Sequence, residues 1–212
     1  MNLPRLCAIC DADVCARAGW RPIDLAHAFV AGGAMFLQLR AKMMPSGTLL
    51  ETAEAIAVLA HRAGATLIVN DRADLARLSG ADGVHLGQDD LTPAAVRRIV
   101  GGDAIVGLST HTVEQLDAAC REPISYLAVG PVFGTTSKTT GYTAIGLSLV
   151  REAARRATAV GLPLVAIGGI TLDRAASVIE AGAASVAVIS DLLVTGDPET
   201  RTRAFLERLD TV

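Results

Sequence analysis

Short runs of aliphatic and β-branched residues alternate with longer stretches rich in Ala, Leu and Arg along the whole chain. The apolar runs predict strands at Arg5–Cys10, Met35–Arg40, Thr66–Asp71, Gly83–Gly87, Ala104–Ser109, Tyr126–Val132, Leu164–Gly168 and Ser185–Ser190. The stretches between them are amphipathic and predict helices at Asp24–Ala31, Gly47–Ala63, Arg72–Ser79, Pro93–Val100, Val113–Cys120, Leu147–Val160, Leu172–Ala181 and Pro198–Leu209. The strands read as continuous apolar runs, as parallel strands do when both faces are covered. Eight strands alternating with eight helices exceed the usual five or six of an open doubly wound sheet. They predict an α/β fold of the closed (β/α)8 kind, a TIM barrel.

Local punctuation agrees with this division. Gly64, Gly80, Gly161 and Gly182 stand where a left-handed cap would stop each helix. Thr92-Pro93 and Asp197-Pro198 read as an N-cap followed by proline in the first helical turn. No linker, low-complexity tract or charge block divides the sequence, so residues 1–212 are expected to form a single barrel domain.

Composition narrows the partners. Of 212 residues, 51% are hydrophobic and only 3% aromatic, a palette suited to buried parallel strands under Ala-rich helices. A net charge of -3 argues against nucleic acid as the main partner. The longest apolar runs, such as Leu162–Ile170, fall short of the ~18 residues that span a bilayer. The N-terminus lacks a signal-peptide layout, so a soluble cytoplasmic protein without membrane association is expected. Cys7 and Cys10 form a CxxC, but residues three apart in a strand face opposite sides, and no second pair completes a zinc site. With Cys15 and Cys120 they read as reduced thiols used as small packing residues.

Barrel active sites lie at the carboxyl ends of the strands, and the polar residues of this chain collect there. Alternation sends Gln38, Arg40 and Lys42 of the second strand to one side, leading toward the mouth; the alternative is a strand end solvated by its own charges. The third strand ends Asn70-Asp71 and the fourth runs into His85-Leu86-Gly87-Gln88-Asp89-Asp90. Neighbouring strands are ~4.8 Å apart, so Asp71 and one of Asp89 or Asp90 can share a small cation. Magnesium suits such a site, because it takes one or two protein carboxylates and fills its other positions with water and phosphate oxygens. Taken singly, Asp71 could instead cap the helix that follows, and Asp89 or Asp90 could precede the cap at Thr92.

Ser109 offers a hydroxyl at the end of the fifth strand, where His111 could equally be a capping or surface residue. The sixth strand opens into Gly130–Lys138, GPVFGTTSK, whose Thr135, Thr136, Ser137 and Lys138 set hydroxyls beside a cation and suit an anionic ligand. After the seventh strand, Gly168-Gly169 expose backbone N–H groups at a helix start; Ile189-Ser190 close the eighth. A tight turn accounts for one glycine there more easily than for two. Two anion sites at one mouth result. One is a metal-assisted polyphosphate site with Arg40, Lys42, the paired aspartates and Lys138; the other is a phosphate site with Gly169, Ser190 and the hydroxyl loop. No Ser-His-Asp set, paired catalytic carboxylates or Walker loop is present. The pattern points to departure of diphosphate, helped by cations that neutralise the developing charge.

Seven motifs, QLRAK, VND, GVHLGQDD, GLSTHT, GPVFGTTSK, AIGGIT and VAVIS, stand in the order and spacing of a known family. Across nearly its whole length the chain resembles thiamine phosphate synthase. The resemblance implies a transferase that joins 4-amino-2-methyl-5-hydroxymethylpyrimidine diphosphate to a thiazole phosphate or its carboxylate, releasing diphosphate by a dissociative, magnesium-assisted route. It implies that Gln38, Arg40, Lys42, Asn70, Ser109 and Lys138 hold the pyrimidine diphosphate. Arg40, Lys42, Ser109 and Lys138 would be the catalytic contacts. Asp71 and Asp90 would bind Mg2+, the motif's spacing selecting Asp90 over Asp89. Thr135, Thr136, Ser137, Gly169, Ile189 and Ser190 would hold the thiazole phosphate. Ala41 departs from the family's usual glutamate, Ser137 from a frequent threonine and Ser185 from a frequent glycine; none of these removes an implied ligand.

Two other readings compete. A thiazole tautomerase shares the barrel but needs no diphosphate site, and retention of Asp71, Asp90, Lys42 and Lys138 argues against it. A non-catalytic binding protein for thiamine intermediates would be expected to have lost metal or lysine ligands, which are present. The sequence leaves the oligomeric state open.

Overall fold

A computed structural model describes residues 1–134 and 143–212. Eight parallel strands close into a barrel in sequence order: β1 (Leu6–Asp11), β2 (Phe36–Arg40), β3 (Thr66–Asn70), β4 (Gly83–Leu86), β5 (Ile105–Thr110), β6 (Tyr126–Val129), β7 (Leu164–Ile167) and β8 (Ser185–Val188). β8 pairs back onto β1 through Cys7 and Ala187, so no edge is left open. Around the barrel lie α1 (Ala12–Arg17), α2 (Pro22–Ala31), α3 (Ser46–Arg62), α4 (Ala73–Leu78), α5 (Pro93–Val100), α6 (Val113–Ala119), α7 (Gly146–Ala159), α8 (Leu172–Glu180) and α9 (Pro198–Leu209). The (β/α)8 expectation holds.

The expected count of eight helices does not hold: α1 is an extra element among the described residues. Its six residues are too few to show a helical period, and it forms because the Asp11 carboxylate accepts from Val14 N at 3.1 Å. The eighth strand also ends early, since Ser190 opens a 3-10 turn, Ser190–Leu193. The sixth stops at Val129, before Pro131, which has no N–H to donate to a ladder. Thr92 and Asp197 cap α5 and α9 as expected, accepting from Ala95 N (3.3 Å) and Thr200 N (3.0 Å). Gly64, Gly80, Gly161 and Gly182 all have positive φ directly after their helices.

Two hydrophobic layers hold the barrel. The outer one packs Cys10 and Cys15 with Leu25, Phe29, Ile56 and their neighbours between strands and helices. The inner one fills the barrel with Cys7, Ile9, Phe36, Ile68, Tyr126, Val165 and Ala187. Cys7 and Cys10 therefore face opposite sides of β1, as strand geometry requires. Burial raises both outer thiols, Cys10 well above its usual range and Cys15 to about 12, which keeps them protonated packing groups. Inside, the Tyr126 ring meets Phe36 edge-on, with centroids 5.9 Å apart. It lies so close over Gly107, its register partner, that any β-carbon there would collide with it. That ring carries the polar floor of the site into the barrel.

Candidate functional site

A cavity of about 450 Å³ opens at the carboxyl ends of the strands. Its β2–β5 side is charged. Asp11 and Arg40 are register partners on β1 and β2, and their side chains join in an ion pair of 2.5 Å. Asp11 is only 1% exposed, so its second role as the cap of α1 completes the partners that a buried carboxylate needs. Sequence reasoning missed Asp11, although an aspartate ending an apolar strand opposite an arginine was the available signal.

Beside this pair, Lys42 lies 3.3 Å from Asp71. Asp71 holds a φ of +64°, a left-handed conformation that few non-glycine residues adopt, while its backbone N–H donates to His85 O at 2.8 Å. Burial raises the Asp71 pKa, and the adjoining Asp90 carboxyl raises it further, with Lys42 opposing both. Asp90 also accepts from Gly87 N at 2.6 Å. Neither aspartate serves as the helix cap that the sequence left open: the N-cap position of α4 is Arg72, with no side-chain cap, and Thr92 caps α5. Asp89 lines the cavity, and Asp90 is the residue whose carboxyl meets Asp71. Two like charges pressed together in a partly buried place form a donor pair that a divalent cation relieves.

The floor is a hydrogen-bonded column. His85 shares one ring nitrogen with the Tyr126 hydroxyl and the other with Ser109 Oγ, each at 2.8 Å, and its ring stacks on Tyr126 with centroids 5.6 Å apart. Gln88 Nε2 donates to Ser109 O at 2.6 Å. Gln38 is corrected from its expected place with Arg40 and Lys42 at the mouth. It is 4% exposed, lies below the residues that line the cavity, and bonds the Tyr126 hydroxyl inside the barrel. It sits one inward step deeper than Arg40, which is where alternation along β2 puts it. Asn70, 9% exposed, does line the cavity. His85 was missed, though it is a polar residue between Val84 and Leu86 in a buried strand, the same cue that singled out Gln38.

The β6–β8 side is built from backbone. Gly168 (φ 103°) and Gly169 (φ 63°) turn β7 toward α8. A β-carbon on Gly168 would lie 2.5 Å from Pro131, and one on Gly169 would lie 2.5 Å from Gly134 O. A turn was expected to account for one glycine more easily than for two; here both are required, by their positive φ and by the close approach of the loop after β6. Arg174 of α8, also missed, lies 4.8 Å above the Phe133 ring and donates to Gly169 O at 3.3 Å. Ile189 and Ser190 line the same wall. His111 is a tie between loops, sharing a 2.6 Å bond with Gly130 O and donating its N–H to Gln115. Thr135, Thr136, Ser137 and Lys138 lie outside the described residues.

The site thus pairs a wall of cations and aspartates with a wall of glycines and a turn of 3-10 helix, across one polar floor. A family model described as thiamine monophosphate synthase matches residues 6–192. The thiamine-phosphate synthase of Koribacter versatilis is 47% identical over 99% of this chain and 97% of its own length. That of Thermus thermophilus is 45% identical over 92% of this chain and 94% of its own. A solved thiamine phosphate pyrophosphorylase of Pyrococcus furiosus superposes with a TM-score of 0.87 at 28% identity, covering 98% of this chain and 96% of its own.

Proposed function

Because the chain belongs to the thiamine monophosphate synthase family, we propose that its cavity is where a pyrimidine diphosphate and a thiazole phosphate are joined into thiamine phosphate. The protein is a transferase of thiamine biosynthesis. The observation that carries the placement of the substrates is the opposition of the two walls. Arg40, Lys42 and Asp71, with Asp90 against Asp71, lie on one side of the cavity, and Gly169 and Ser190 line it from the β7–β8 side. A polyphosphate belongs on the first wall and a monophosphate on the second.

In this reading Arg40 and Lys42 bind the diphosphate oxygens, with Lys138 joining them, while Asn70 and Ser109 fix the pyrimidine and Gln38, beneath the cavity, steadies the Tyr126 hydroxyl. Thr135, Thr136, Ser137, Gly169, Ile189 and Ser190 hold the thiazole phosphate. Asp71 and Asp90 hold a magnesium ion, which when bound supplies charge neutralisation to the leaving diphosphate. Arg40 is oriented before substrate arrives, since Asp11 fixes its guanidinium. Preorganised charge of this kind acts where negative charge develops, and removing one such group costs about 10²–10³ in rate. The hydroxyl–imidazole column from Ser109 to Tyr126 sits beneath the reacting carbon as a fixed polar floor. No strong base is needed, because the thiazole nitrogen attacks the pyrimidine carbocation left once the diphosphate has departed. No described helix is long and apolar enough to cross a membrane, and small-molecule substrates in the cytoplasm fit this chemistry.

Purified protein with both substrates and Mg2+ is expected to release thiamine phosphate and diphosphate in equal amounts, and chelation of the metal should stop turnover. Folded protein that makes no product under those conditions would overturn the assignment.

A further inference from the structure

The turn that carries Ser190 is held by α9 through Asp191, a residue that itself lines the cavity. Asp191, the next residue, places one carboxylate oxygen 2.6 Å from Arg201 Nη2 of α9 and 3.1 Å from the backbone N of Leu172, the first residue of α8. The same guanidinium reaches back through Nε to Asp191 O at 3.1 Å. One arginine therefore grips both the side chain and the main chain of Asp191. The pair is sheltered, with side chains 19% and 12% exposed, and the Arg201 guanidinium carbon lies 5.6 Å over the buried Phe205 ring. Leu192, fully buried, anchors the next position. Rotation or translation of the turn must break this fork, so Ile189 and Ser190 are fixed relative to both α8 and the Gly169 loop.

We propose that Arg201 and Asp191 are positioning residues that set the affinity of the β7–β8 wall for the phosphorylated thiazole substrate while taking no part in bond making. The proposal rests on the division of substrates given under Proposed function. A surface ion pair would contribute little; this one is sheltered, forked and charge-assisted, the geometry in which such bonds are strong. Its effect falls on one substrate alone, because Arg201 reaches the cavity only through Asp191 and the turn after β8.

The test is steady-state kinetics of Arg201→Met, whose unbranched stem keeps contact with Phe205 but loses the fork, beside Arg201→Lys and Asp191→Asn. For Arg201→Met the KM for thiazole phosphate should rise about tenfold, equivalent to about 1.4 kcal/mol of lost binding. The KM for the pyrimidine diphosphate and kcat at saturation should stay within about twofold. Arg201→Lys, with a single point charge, should recover part of the loss. Unchanged KM for both substrates, or equal rises in both with a fall in kcat, would overturn the proposal. Calorimetric titration of wild type and variants with inorganic phosphate separates this failure from failure of the functional reading. If the wild type forms no thiamine phosphate, that reading fails; the clamp still stands if phosphate binds it more tightly than the Arg201→Met protein, and falls if it does not. Should Arg201→Met fail to fold, the lysine and asparagine variants give the same readout.

Discussion

Asp71→Asn is expected to lower turnover by about two to three orders of magnitude and to leave the protein as stable as the wild type or more so. Asparagine is the substitution that isolates charge at this position. Asp71 sits at φ +64°, and asparagine tolerates the left-handed region where alanine would add strain. Burial and the Asp90 carboxyl raise the Asp71 pKa on folding. A carboxyl raised in this way penalises the fold above its folded pKa, and the penalty disappears as pH falls through it. A neutral amide removes the penalty at neutral pH. Activity and stability therefore move in opposite directions, which no packing role for Asp71 produces. Full activity in a Mg2+-dependent assay would remove Asp71 from the metal site, and unfolding would make it a structural residue.

Arg40→Met should damage both fold and function. Among the described residues it leaves Asp11, 1% exposed, with a buried charge and only the Val14 N–H as partner, a situation that costs about 3–5 kcal/mol. It also removes a cation from the wall proposed to hold the diphosphate, so the KM for the pyrimidine diphosphate should rise and kcat should fall. The double variant Asp11→Asn, Arg40→Met separates the two effects. Urea unfolding should show most of the stability regained, because no unpaired charge remains, while activity stays low. A double variant no more stable than the single one would mean that Asp11 is not an uncompensated charge in Arg40→Met.

Which parts of this architecture could be read from the sequence depends on how local their causes are. α5 and α9 match their expected bounds because Thr92-Pro93 and Asp197-Pro198 fix their starts by contacts three residues away. The strands were visible as continuous apolar runs, since burial on both faces writes itself into every position. α1 was invisible because its cap, Asp11, ends a strand and six residues cannot show a period. At the site, Arg40, Lys42 and Asp71 stood out as charges at strand ends. Asp11 and His85 did not, because their partners come from other strands: Arg40 on β2, and Tyr126 on β6 beside Ser109 on β5. The same holds for Arg201, whose grip on Asp191 joins α9 to a turn of irregular backbone that no periodicity announces.

The central claim is that one mouth holds two anions on opposite walls, with a metal ion at only one of them. A crystal structure of the protein with Mg2+, diphosphate and thiazole phosphate measures this directly. Diphosphate is expected against Arg40 and Lys42 with the metal between Asp71 and Asp90, and the monophosphate against Gly169 and Ser190. Both anions on one wall, or a metal bound away from the Asp71–Asp90 pair, would contradict the account.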